Sequence, residues 1–240
     1  VNPTDYDNAS NIFYAAISAG NYMRWTNPQT GATSATVNVT GFSGANVRHI
    51  SVSQNTPNRV FFGLSNGSVV RVDNANSVAS PAAGILVGTP VVNGSVSCIA
   101  IENGNDNHIL VTYSNYGANS VWESTNALAG APTFTSVEGN LPDMPVRWAL
   151  FSPLNNQQAI LGTEVGAWST DLLNAGATNW GASNSGLANT RVEMLQIRSS
   201  DNLVAAATHG RGLFTSDVFM TPYPDFTASP IITYTNKPVQ

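Results

Sequence analysis

The chain has 240 residues, of which 42% are hydrophobic and only 10% charged, with a formal net charge of −5. That apolar content excludes a disordered chain. The acidic balance and single lysine, Lys237, argue against nucleic acid as a partner, and no apolar run reaches the roughly 20 residues of a membrane helix.

In chain order, the apolar residues fall in short β-branched runs separated by glycine, asparagine and proline, a pattern of strands and hairpins rather than helices. The first hairpin is NIFYAAISAGNYMRWTN (11–27), followed by a strand in SATVNVT (34–40). A strand NVRHISV (46–52) then leads into the hairpin NRVFFGLSNGSVVRVDN (58–74). SVSCIAI (95–101) leads into NHILVTYSNYGANSVWESTN (107–126) and PTFTSVE (132–138). PVRWALF (145–151) precedes QAILGTEVGAWSTD (158–171), and RVEMLQI (191–197) precedes NLVAAATHGRGLFTSD (202–217). The one cysteine, Cys98, leaves no internal disulfide and reads as a small buried strand residue.

These segments repeat. The hairpin-turn glycines Gly20, Gly67, Gly117, Gly166 and Gly212 are spaced by 47, 50, 49 and 46 residues. The leading valines Val47, Val96, Val146 and Val192 are spaced by 49, 50 and 46. Four strands per period of this length predict an all-β fold, a β-propeller of four-stranded blades. A tandem β-sandwich would need about twice the period. By this reading the first blade supplies only strands two to four, from about Ile12 to Thr40, and the last copy has three strands. About four to five blades result, read as the C-terminal part of a seven- to eight-bladed ring.

The segments STDLLNAGATNW (169–180) and ESTNALAGAPTF (123–134) resemble stretched Asp-boxes, the Ser-x-Asp-x-Gly-x-x-Trp signature of BNR-repeat propellers, with Asn126 replacing the aspartate in one copy. Sialidases, xyloglucanase-type glycoside hydrolases and sortilin-type receptors share that repeat. The resemblance implies that Asp73, Asn126, Asp171, Asp217 and Trp180 are structural. The short polar side chains would cap turns, and the tryptophan would pack between blades, on the face opposite the usual binding face. The ending THGRGLF (208–214) is similar to propellers of large bacterial proteins exported by type IX secretion. The tail YPDFTASPIITYTNKPVQ (223–240) resembles the first strand of a PKD-type Ig-like domain. The implied organisation is blades over 1–221 and a linker with that first strand over 222–240, in a multidomain protein that is extracellular or at the cell surface.

Glycoside hydrolysis generally needs two carboxyl groups flanking the scissile bond. Outside the box and turn positions, Glu102, Glu123, Glu138, Glu164, Glu193 and Asp225 remain, and none sits in a hydrolase motif. Arg48, Arg147 and Arg191 share a repeat position beside the leading valines, suited either to gripping a carboxylate or to tying blades together. His49, His108 and His209 lack metal-ligand spacing. No cofactor is expected; NGNDNH (103–108) offers Asp106 and carbonyls to calcium but not a full ligand loop. The repeat register brings Arg48, Tyr113, Tyr116, Arg147, Glu164, Arg191, His209 and Arg211 to one face as a candidate surface for a protein or glycan. The expected function is a non-catalytic extracellular binding or scaffold module, exported as cargo of a secretion machinery. A polysaccharide-degrading hydrolase and a passive spacer are the alternatives.

Overall fold

The computed structural model describes residues 3–31, 33–187 and 189–220. The linker and Ig-like strand expected over 222–240 lie outside the described residues. The first antiparallel sheet is β1 (Thr4–Asp7), β2 (Ile12–Ser18), β3 (Asn21–Thr26) and β4 (Ser34–Asn38). The second is β5 (Val47–Val52), β6 (Val60–Leu64), β7 (Val69–Val72) and β8 (Ile85–Gly88). The third is β9 (Val96–Glu102), β10 (Asn105–Tyr113), β11 (Val121–Ser124) and β12 (Thr135–Ser136). The fourth is β13 (Val146–Phe151), β14 (Ala159–Thr163), β15 (Gly166–Thr170) and β16 (Gly181–Ala182). The fifth has three strands, β17 (Val192–Arg198), β18 (Leu203–Thr208) and β19 (Gly212–Ser216).

In every sheet the strands follow chain order, and the first strands pack on one another in sequence: β1 on β5, β5 on β9, β9 on β13, β13 on β17. Five meander sheets set side by side along their first strands are β-propeller blades. The first blade corrects the expectation from sequence, because it has its own inner strand. β1 pairs with β2, Thr4 opposite Ala15 and Asp7 opposite Ile12. Its sequence, Thr-Asp-Tyr-Asp, is polar and carries no leading valine, so neither propensity nor the repeat marker reveals it. Asp5 nevertheless docks β1 on the next blade, its Oδ2 accepting the Val52 N–H at 2.7 Å.

A central blade must be apolar on both faces, so its second strand is a continuous hydrophobic run whose neighbours point to opposite seams. Phe62 enters the seam between blades one and two with Tyr14, Tyr22 and Phe42, while Phe61 enters the next with Val69, Ile99 and Tyr113. Leu110 and Leu161 fill the seam between blades three and four, and Ile160 with Leu195 and Val204 fills the last. Tyr22 and Phe42 lie 4.9 and 5.1 Å from Phe62, ring centre to ring centre. Each such side chain contributes about 1.5–3 kcal/mol by leaving water.

The two repeat markers have distinct physical roles. All five turn glycines adopt positive φ, between 72° and 88°. At Gly67 a Cβ would also lie 1.8 Å from the carbonyl oxygen of Val91. The leading valines are knobs between blades. A Cβ on Gly63 would meet Val96 at 2.3 Å, and one on Gly162 would meet Val192 at 2.9 Å. A valine on one blade therefore seats where its predecessor has no side chain.

Candidate functional site

The blade geometry creates two faces. The turn face carries the hairpins between strands two and three and the starts of the inner strands. The loop face carries the connections between strands one and two and the box segments. On the turn face the inner strands of blades two to five share a bulge, which leaves Arg48, Ser97, Arg147 and Glu193 as the extra residue. A bulge bends the strand and re-aims that side chain. Ser97 uses this to reach the next blade, donating to the Val146 carbonyl at 2.5 Å.

At blades four and five the bulged residues join a chain of ions. Arg147 donates through Nε and Nη2 to Oε2 of Glu164, at 3.2 and 2.7 Å. The other oxygen of Glu164 faces Arg191 at 3.7 Å. Arg191 Nε donates to Glu193 at 2.7 Å, and its Nη2 lies 2.9 Å from Nδ1 of His209. That same Nδ1 is 3.1 Å from Glu193. Nδ1 can accept from Arg191 when neutral or donate to Glu193 when protonated, but not both. The backbone holds this arrangement, since the His209 N–H donates to the Arg191 carbonyl at 2.8 Å.

Four of the eight residues expected from sequence are thus brought together: Arg147, Glu164, Arg191 and His209. Arg48 and Arg211 are exposed on the same face and have no ion-pair partner among the described residues. Tyr116 stands out from the hairpin of blade three, 66% exposed. Tyr113 is a correction. It is fully buried in the seam between blades two and three, where its hydroxyl donates to the Gly67 carbonyl at 2.8 Å. Burial pushes its ionisation upward, so it is a neutral tether rather than a surface contact. Glu193, the link between Arg191 and His209, was missed by repeat matching because its counterparts are two arginines and a serine.

The box positions lie on the loop face and differ in what they do. Asn126 caps its turn, Oδ1 accepting the Thr133 N–H at 2.8 Å. In the fourth blade the Leu172 N–H donates to Thr170 rather than to Asp171, which takes Gln158 at 3.2 Å. In the fifth blade Ser216, not Asp217, accepts the Val218 N–H. Asp73 receives Arg59 at 2.6 Å and Arg71 at 3.2 Å. Trp180 is buried between blades three and four, its indole N–H donating to the Val137 carbonyl at 2.9 Å.

Two further loop-face charges, Asp106 and His108, are buried and shared. Asp106 Oδ1 accepts Ser53 at 2.7 Å and Asn55 at 2.8 Å, while Oδ2 accepts Arg59 at 2.9 Å. Burial alone would raise its pKa, but the hydrogen bonds from Ser53, Thr56, Asn55 and Arg59 outweigh it and hold the carboxyl below its ordinary range. With a guanidinium already on Oδ2, Asp106 is poorly disposed to calcium. His108 sits between Glu102, 2.9 Å from Nδ1, and Glu123, 2.7 Å from Nε2. Burial lowers its pKa, yet the two carboxylates prevail and raise it. Glu102 extends the link to blade four through Asn156 at 2.8 Å.

Between the inner strands lies an axial cavity of about 690 Å³, bounded by residues of all five blades from Asp5 to Asn202. Its lining runs from His49, Cys98 and Trp148 in mid-strand to Asn55, Asn103, Leu154 and Asn202 in the loop-face connections. It therefore opens on the loop face, away from the ion chain. Burial drives the pKa of His49 down to about 4, offset in part by the backbone of Ile99 and Ser97, so the ring is neutral. Burial pushes the Cys98 thiol up to about 12, which makes it an unreactive wall group.

No family model matches the chain, and no curated protein matches it. Solved structures do. The β-propeller domain of Cps50 (Swd1) from Myceliophteria thermophila is 9% identical with a TM-score of 0.63, over 95% of this chain and 67% of that one. A GH74 enzyme from Niastella koreensis is 16% identical with a TM-score of 0.66, over 90% of this chain and 36% of that one. Raptor from Chaetomium thermophilum is 13% identical with a TM-score of 0.64, over 89% of this chain but only 18% of its own length. Likeness at such identity carries the architecture alone: the chain has the β-propeller fold.

Proposed function

We propose that this chain is a non-catalytic binding or scaffold module of a secreted or cell-surface protein, built on BNR-type blades and exported as part of that protein. The turn face would meet a protein or glycan that carries carboxylates. The observation behind this reading is the ion chain from Arg147 to His209, flanked on the same face by Arg48 and Arg211, which have no ion-pair partner among the described residues, and by exposed Tyr116. Rigid strands hold the chain's members, so a partner would meet a pre-ordered array of guanidinium donors. The two free arginines would steer an acidic partner and make its affinity depend on salt.

The experiment is a titration of the chain against immobilised acidic polysaccharides and acidic peptides at low and physiological salt. The double change Arg48→Ala and Arg211→Ala should abolish the salt-sensitive part of any binding. Unchanged binding by that variant would overturn the reading. The likeness to part of a GH74 enzyme favours a second reading, in which the chain is one propeller of a polysaccharide-degrading hydrolase. Release of reducing ends from polysaccharide by the purified chain would select it.

A further inference from the structure

We propose that the axial cavity is a second binding site, for a neutral oligosaccharide, with Trp148 and Gln196 among its contacts. The first argument is volume. About 690 Å³ falls within the roughly 300–1,000 Å³ of small-ligand sites, and walls from five blades are already in place.

The second argument is which polar groups remain free. The indole N–H groups of Trp122, Trp168 and Trp180 each donate to a backbone carbonyl. That of Trp148, which lines the cavity, donates to nothing among the described residues. The side chains of Ser51, Asn103, Gln196 and Asn202 line the same space and likewise have no hydrogen-bond partner among the described residues. Leu154, 57% exposed, adds an apolar surface at the mouth.

The third argument is charge. Among the described residues no lysine or arginine lines the cavity, so an anionic ligand finds no counter-ion there. Its carboxylates are committed: Asp5 accepts the N–H groups of Val52 and Tyr6, and Glu102 holds His108, Asn105 and Asn156. What is left is the hydroxyls of Thr4, Ser51 and Ser199, three amides, an indole N–H and apolar surface. Each amide offers a donor beside an acceptor, and a sugar hydroxyl both donates and accepts. The indole supplies an apolar body with a polar tip for a sugar ring.

The site is independent of the charged turn face, and the test separates the two. The 240-residue chain is titrated calorimetrically with neutral tetrasaccharides of differing linkage, with tetragalacturonic acid and an uncharged peptide as comparisons. At least one neutral tetrasaccharide should bind, and Trp148→Ala should weaken it about tenfold. Gln196→Ala, at an exposed position, should weaken it several-fold without touching the fold, and Trp148→Phe should lose the N–H contribution while keeping the ring. The Arg48→Ala and Arg211→Ala change should leave this binding intact. The proposal is overturned if no neutral tetrasaccharide binds, if the peptide alone binds, or if Gln196→Ala and Trp148→Phe variants with wild-type circular dichroism bind as the parent does.

Discussion

The two faces of this propeller use charge in opposite ways. On the turn face, arginines and glutamates are partly exposed, paired in a chain and extended by free arginines at its margin. On the loop face Asp106 is buried and tied to Arg59 of the preceding blade, and His108 is buried between two glutamates of its own blade, while the neighbouring cavity presents neutral groups. Buried charges gain little unless every lone pair is met, and breaking one leaves its partner stranded. Exposed pairs are screened and give up little when broken. The loop face therefore joins blades, and the turn face keeps its charge accessible to a partner.

Asp106→Ala should break this contrast most severely. It leaves Arg59 with Asp73 alone and removes the acceptor for Ser53 and Asn55, at a cost of about 3 kcal/mol read from chemical denaturation. A loss below about 1 kcal/mol would show that the loop-face charges are not structural ties. The next effect is a pH dependence. The folded-state pKa of His108 is raised, so its stabilising contribution is fully present below about pH 6.5 and disappears as pH rises through the folded value. Denaturation midpoints should fall across that window in the parent, and His108→Gln should flatten the dependence. An equal slope in both proteins would assign the effect elsewhere.

On the turn face the same kind of removal should matter far less. Glu164→Gln loses the pair with Arg147 and the longer contact with Arg191, yet should cost under about 1 kcal/mol and less still in high salt. The smallest effect on stability belongs to Arg211→Ala, whose thermal midpoint should match the parent. Its consequence should appear only in the affinity for an acidic partner.

Much of the architecture was legible along the chain because it repeats locally. A turn that needs positive φ takes glycine in each blade, and a seam that needs a compact apolar knob takes valine, so Gly67 and Val96 mark the period by themselves. Repeat register also brought Arg147, Glu164, Arg191 and His209 to one face. It failed where a position departs from its counterparts. β1 is too polar to read as an inner strand, Tyr113 shares the register of surface residues but its ring turns into a seam, and Glu193 replaces an arginine.

Strand order, turn positions and blade period follow from short-range stereochemistry, which a linear sequence records directly. Which charges meet does not. Ser53 and Asp106, Asn156 and Glu102, and Arg191 and Glu164 come from different blades, and their pairing depends on how successive sheets twist and stack. The axial cavity is a property of that stacking too, because Trp148 and Gln196 face a common space only once the inner strands of separate blades stand side by side.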